Sequence, residues 1–179
     1  MVSLLYNIRS LHNVGSIFRT ADAAGVKKLY LCGITPSPTD VFGRPRQQLT
    51  KVSLGAEKYV EWDASVRSAR AISKLLDDLK SKGYKIFAIE QAKNATTYYK
   101  LQTKRTDKIA LVLGNEVKGL PKPILKKADK ILEIPMRGAM VRQAHHPRHT
   151  RRGKESLNVA VAFGIVAFHL INFKQKKAA

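Results

Sequence analysis

Four short stretches carry residue types from which a ligand site could be made: Asn13-x-Gly15-x3-Arg19, Leu113-Gly114-Asn115-Glu116-x-x-Gly119, Ile134-Pro135-Met136-Arg137-Gly138 and Ser156-Leu157-Asn158. Glycines at the C-terminal end of a strand let a ligand approach the backbone closely. In open α/β sheets that end is where ligands bind. Gly114 and Gly119 follow the apolar run 109–113 in this way, although a plain glycine turn has the same appearance. Ile134 to Met136 ends a second run, and its backbone could line a pocket beside the first loop or simply turn. Ser156 is either the N-cap of a final helix or, with Asn158, a polar group offered to a ligand. An arginine off the packing face of a helix, such as Arg19, can clamp a phosphate with two N–H groups or can be merely solvated.

The elements that must position these residues alternate along the chain. Apolar or β-branched runs at 4–8, 28–32, 58–62, 85–89, 109–113 and 130–134 predict six strands, with helical signals between most of them. That alternation argues for an α/β fold with a mainly parallel sheet flanked by helices. Asn13 is a suitable N-cap for the first helix, Val14, Ile17, Phe18, Ala21 and Ala24 form its apolar face, and Gly25 is a fitting stop. A second helix is expected over 65–82 and a last one from about Ser156, apolar nearly all round and so buried on several sides, part of it against a second subunit. Residues 35–54, with Pro36, Pro38, Gly43 and Pro45, read as a long loop. Such loops are often functional, and a solvated insertion is the competing reading.

The chain has 179 residues, enough for one domain with a proper core, and no internal boundary is evident. Its formal charge is +20, from 33 Lys+Arg against 13 Asp+Glu. Such an excess works against compactness, which makes a polyanionic partner the natural explanation: nucleic acid first, an anionic membrane surface second. Cys32 is the only cysteine, so an internal disulfide is excluded and a reducing cytoplasm is expected. The N-terminus has no export signature. The most apolar stretch, 159–173, is shorter than the ~20 residues of a membrane-spanning helix. No GxGxxG follows the first strand, which weakens a dinucleotide-binding reading.

In order and spacing the four stretches resemble the three motifs of the SpoU/TrmH group of the SPOUT superfamily, the S-adenosylmethionine-dependent RNA ribose 2′-O-methyltransferases. The first motif matches Asn13, Gly15 and Arg19, the second Gly114-Asn115-Glu116-x-x-Gly119, and the third is split between Ile134-Pro135-Met136 and Ser156-Leu157-Asn158. The resemblance spans almost the whole chain. It implies a C-terminal trefoil knot, S-adenosyl-L-methionine held in that knot, and a homodimer whose active sites draw on both subunits. It assigns cofactor contacts to Ile89, Gly114, Ile134, Met136, Ser156 and Leu157. Arg19 would engage the target ribose or its phosphate, and Asn13, Glu116, Ser156 and Asn158 would orient the catalytic groups. The substrate implied is tRNA or rRNA, methylated in the cytoplasm, without a membrane and without a metal.

One departure stands out. Removing residues 139–153 would join Arg137-Gly138 to Lys154-Glu155-Ser156 and restore a continuous third motif. The inserted stretch is basic and holds His145, His146 and His149, but Pro147 breaks the helical geometry that would align them on a metal. The insert could be a neutral excursion, since loop closure entropy rises slowly with length. It could instead break the cofactor loop and leave a catalytically impaired RNA-binding protein, or add a finger for RNA. No separate N-terminal RNA-binding domain is read before the first strand, so grip on RNA would fall to the catalytic domain and the 35–54 loop.

Overall fold

The computed structural model describes residues 1–104, 106–136 and 156–175, with only the backbone described for 173–175. The expected insert at 139–153, with Arg137 and Gly138, lies outside the described residues. Strands β1 (Val2–Tyr6), β2 (Lys28–Cys32), β3 (Glu61–Asp63), β4 (Tyr84–Ile89), β5 (Thr96–Thr97), β6 (Lys108–Leu113) and β7 (Lys130–Glu133) form one sheet in the order β3-β2-β1-β6-β4-β7-β5. Every pairing between these strands is parallel. The sheet therefore has seven strands rather than the six expected. The addition, β5, has two residues paired with Leu132 and Glu133 at the edge, too few to write a periodic pattern.

Alternate side chains of each strand serve opposite layers, as the pleat dictates. Leu5, Leu29, Leu31, Phe87, Ile109, Leu111, Leu113 and Leu132 pack with α1 (Leu11–Ala23), α2 (Gln47–Ser53) and the final helix, α5 (Val159–Gln175). Val2, Leu4, Cys32, Ile86, Ala88, Ala110 and Val112 face α3 (Ala69–Ser81) and α4 (Lys122–Leu125). Continuous burial of both faces is the reason the central strands read as unbroken apolar runs. The Cys32 thiol is fully buried, and desolvation pushes its pKa up to about 12, which leaves it inert at neutral pH.

Helix ends differ from expectation in ways that local hydrogen bonds explain. α1 is capped by Ser10, whose Oγ accepts the Asn13 N–H at 3.2 Å, so Asn13 lies in the first turn instead of at the cap. α3 begins after Ser68, which caps Ala71, because the Asp63 carboxylate takes the Ser65 N–H and holds that segment in a turn. Residues 35–54 are not wholly loop, since they include α2. Leu54, left-handed at φ 53°, ends that helix. A 3-10 turn over Ala56–Lys58 delays β3 to Glu61. α5 starts at Val159, with Asn158 as its cap rather than Ser156: Asn158 Oδ1 accepts the Ala160 N–H at 2.9 Å.

α2 lies close against α1 because Gly15 has no side chain. A Cβ there would stand 2.6 Å from the Leu49 carbonyl oxygen and 3.0 Å from Val52 Cβ. Backbone cannot yield as a flexible side chain can, so Gly15→Ala should cost about 1–3 kcal/mol of stability. Denaturant unfolding of the two chains checks this, and an unchanged midpoint would show that the helices separate freely.

Candidate functional site

The carboxyl ends of β6, β4 and β7 lie side by side, and with the segment that leads into α5 they line a cavity of about 200 Å³. Its apolar lining comes from Ile89, Leu113, Leu132 and Ile134, with Val159 and Ala162 of α5; Glu90, Glu116 and Glu133 add carboxylates. All six residues expected to touch a cofactor, Ile89, Gly114, Ile134, Met136, Ser156 and Leu157, line this one cavity. The two halves of the interrupted third motif therefore meet across it.

The loop after β6 folds back on itself. Asn115 Oδ1 accepts the N–H groups of Val117 and Lys118 at 3.0 and 2.9 Å, and its carbonyl accepts the Gly119 N–H at 2.9 Å. Gly114 faces Gly119 so closely that a Cβ would meet the Gly119 carbonyl carbon at 2.6 Å and the Leu120 nitrogen at 2.7 Å. Gly119 is left-handed at φ 62°, and a Cβ on it would strike the Glu90 carboxylate. Both glycines of the second motif thus serve close backbone approach. Glu90 fastens the loop from below: its carboxylate accepts the Leu120 N–H at 2.7 Å and the Gln91 N–H at 3.1 Å.

Side-chain hydrogen bonds join the first, second and third motifs. Asn13 Nδ2 donates to Glu116 Oε1 at 3.0 Å, and Asn158 Nδ2 donates to Asn13 Oδ1 at 3.0 Å. The Arg9 N–H reaches the other Glu116 oxygen at 3.3 Å. The position of Asn13 follows from Ser10: because Ser10 satisfies the helix end, the Asn13 amide is free to bridge Glu116 and Asn158. Of the five expected catalytic residues, Glu116 and Ser156 line the cavity, and Asn13 and Asn158 connect to it through Glu116. Arg19 is exposed on α1 and does not line the cavity.

Sequence reasoning overlooked Asn7 and Glu90. Asn7 has φ 56°, accepts the Asn115 Nδ2–H on its carbonyl at 2.8 Å, and accepts the Ile34 N–H on Oδ1 at 3.0 Å. A strand followed by a polar residue able to turn left-handed was visible at Tyr6-Asn7. For Glu90, an acid immediately after the buried run of β4 was the available signal. Among the described residues there is no group of three or more His, Cys, Asp or Glu able to hold a metal, and no helix long and apolar enough to cross a membrane.

The profile of the SpoU rRNA Methylase family matches residues 1–141. A protein of Staphylococcus epidermidis described as a putative TrmH family tRNA/rRNA methyltransferase is 32% identical over 169 residues; the match covers 94% of this chain and 57% of that protein. The chain thus spans little more than half the length of such relatives. The crystal structure of the A. aeolicus TrmH/SpoU tRNA modifying enzyme aligns with a TM-score of 0.73 at 27% identity, covering 98% of this chain and 76% of that one. The SpoU methyltransferase AviRb of Streptomyces viridochromogenes, solved with AdoMet, has a TM-score of 0.75 at 21% identity, covering all of this chain and 61% of that one, and shares the fold.

Removing the Glu90 carboxylate leaves the Leu120 N–H without its acceptor. Glu90→Ala should lower stability by about 1–3 kcal/mol and speed hydrogen exchange at Leu120, while Glu90→Gln keeps an acceptor and much of the effect. Exchange measured by NMR on the three proteins checks this; identical Leu120 protection in Glu90→Ala would remove the clamp from the site.

Proposed function

The chain belongs to the SpoU rRNA Methylase family, and from that premise we propose that it methylates the 2′-hydroxyl of a ribose in tRNA or rRNA, using S-adenosyl-L-methionine. The observation that carries the reading is the convergence of all three motifs on one cavity through the Asn158–Asn13–Glu116 hydrogen bonds. The lining suits this cofactor, since apolar strand ends offer a surface for an adenine ring. Carboxylates at Glu90, Glu116 and Glu133 complement a ligand that is positive at its sulfur and its amino group. AviRb, of the same fold, holds AdoMet.

S-adenosylmethionine, when bound, supplies an activated methyl group. Ile89, Gly114, Ile134, Met136, Ser156 and Leu157 hold the ligand, several through backbone atoms. Glu116, held by Asn13 on one oxygen and by the Arg9 N–H on the other, stays in one orientation at the cavity rim. Alignment of nucleophile and methyl supplies much of the rate in such a transfer. Transfer would form the bond from the ribose oxygen to the methyl carbon as the sulfur–methyl bond breaks, releasing S-adenosylhomocysteine, and the hydroxyl proton would pass to solvent. Arginine stays protonated at any working pH, so Arg19 acts by holding the adjacent phosphate and stabilising negative charge on the ribose oxygen, not by taking the proton.

Arg19 lies six residues beyond Asn13, hence about 9 Å further along α1 and about 120° round it. That placement supports a homodimer in which Arg19 serves the cavity of a second copy. Val161 and Phe168, exposed apolar residues on α5 beside α1, supply a surface for that contact. The reading also includes the C-terminal trefoil knot that the family resemblance implies, a single methyltransferase domain, and a cytoplasmic place of action, where tRNA and rRNA are met.

A second reading has a specific basis. Residues 139–153 interrupt the third motif in sequence, and a chain disabled there would still bind RNA through its charge. Calorimetric titration with S-adenosylhomocysteine decides between them: one ligand per subunit supports the enzyme, and a folded chain that binds RNA but not this ligand supports the impaired form. In the enzyme, Arg19→Ala should reduce methyl transfer at least a hundredfold, on the order of an electrostatic transition-state contact, with cofactor affinity unchanged. Lost cofactor affinity in that variant would refute the role given to Arg19.

A further inference from the structure

A small hairpin rises from the same edge of the sheet as the cavity. It follows β2, whose carboxyl end is tied to that of β1 by the Asn7 N–H to Cys32 carbonyl bond at 3.1 Å. β2 and β6 are two strand spacings apart, so the hairpin springs from the edge roughly 10 Å from the β6 loop of the cavity. Thr39 and Pro45 pair as an antiparallel bridge. Asp40 organises the turn, its Oδ1 accepting the N–H groups of both Phe42 and Arg44 at 2.9 Å. Its carbonyl accepts the Gly43 N–H at 3.1 Å, and its own N–H donates to the Arg44 carbonyl at 2.9 Å.

These bonds hold an apolar tip in water. Val41 is 89% exposed and Phe42 78% exposed. The Arg44 guanidinium carbon lies 5.6 Å from the Phe42 ring centre, a cation–π contact that leaves most of the ring uncovered. An exposed aromatic on a pre-shaped turn contributes nothing to this chain's own core. The only acid between residues 36 and 46 is Asp40, and its carboxylate is engaged by the turn amides, while Arg44 and Arg46 give the hairpin a positive character. Positive charge around an open ring fits a nucleotide, whose base stacks and whose phosphate is drawn to arginine. Within a duplex each base face is covered by its neighbours, whereas an unpaired base can be splayed out to offer a free face to such a ring.

We propose that Phe42 stacks on an unpaired base next to the methylated nucleotide, with Arg44 on the adjoining phosphate, so that the substrate ribose lies in a single-stranded loop or end and not within a duplex. The proposal rests on the RNA methyltransferase reading and narrows its substrate class. Phe42 acts as a specificity contact, outside the cofactor cavity.

The test uses the full chain and its Phe42→Ala, Phe42→Leu and Phe42→Trp variants. Each is titrated with a short mixed-sequence single-stranded RNA and with the blunt duplex of the same sequence, and each is sedimented for its oligomeric state. Loss of one base–aromatic stack weakens binding roughly tenfold. Phe42→Ala and Phe42→Leu should therefore bind the single strand about tenfold more weakly, with duplex binding, S-adenosylhomocysteine affinity and unfolding midpoint unchanged. Phe42→Trp should bind the single strand at least as well as the original. Single-strand binding that survives in Phe42→Leu, or an equal loss on the duplex, overturns the stacking contact while leaving the methyltransferase reading intact. A change of oligomeric state in Phe42→Ala makes the tip a protein contact and also overturns it. An original chain that binds neither RNA nor S-adenosylhomocysteine overturns the methyltransferase reading as well.

Discussion

One asparagine holds three strand ends together. Asn7 leaves β1 in a left-handed conformation that asparagine tolerates better than most side chains. Its N–H goes to the Cys32 carbonyl at the end of β2, and its Oδ1 takes the Ile34 N–H just beyond. Its carbonyl takes the Asn115 side-chain N–H from the loop after β6. Gly33 must be a glycine at this junction, because a Cβ there would overlap the Asn7 amide oxygen. The neighbouring ends of β2, β1 and β6 are thus fixed at one point. The cavity loop lies on one side of that point and the hairpin with Phe42 on the other.

Around this junction the glycines and polar residues of the three motifs have separate tasks. Gly15 belongs to helix packing, since its missing side chain admits Leu49 and Val52. Gly114 and Gly119 let the loop after β6 double back under the grip of Glu90. Asn13, Glu116 and Asn158 join parts of the chain that lie more than a hundred residues apart. Charge is divided as well. The body is strongly basic, yet the cavity is lined by three glutamates, so a cation is favoured at short range inside it and a polyanion at longer range outside.

Central strands and the apolar stripe of α1 were legible because burial on both sheet faces, or on one helix face, leaves a periodic or continuous apolar signature. Elements decided by one hydrogen bond were less so. Asn13 and Ser10 are both good caps, and only the Ser10 Oγ contact with Asn13 shows which one ends the helix. Ser156 and Asn158 pose the same choice at the start of α5, resolved by the Ala160 N–H. α2 was hidden among prolines because its support is tertiary: a single fully buried Leu49 and the gap at Gly15. The grouping of Ile89, Gly114, Ile134, Met136, Ser156 and Leu157 came from family resemblance and not from periodicity. Their common cavity depends on β4, β6 and β7 being neighbours, a non-local fact. Asn7 and Glu90 went unread because each acts through backbone groups of another segment.

The order of strands has a consequence for how the molecule is made. β1 is an interior strand of the sheet, yet one of its neighbours, the central strand β6, pairs Val2 with Ala110 and Leu5 with Leu113. At roughly 5–20 residues per second of synthesis, that partner follows the first strand by roughly 5–20 seconds. Until then β1 has β2 on one side and a bare edge of N–H and C=O groups on the other, a template for pairing with any passing strand. The chain is thus most exposed to misassembly on the ribosome, before the centre of its sheet can close.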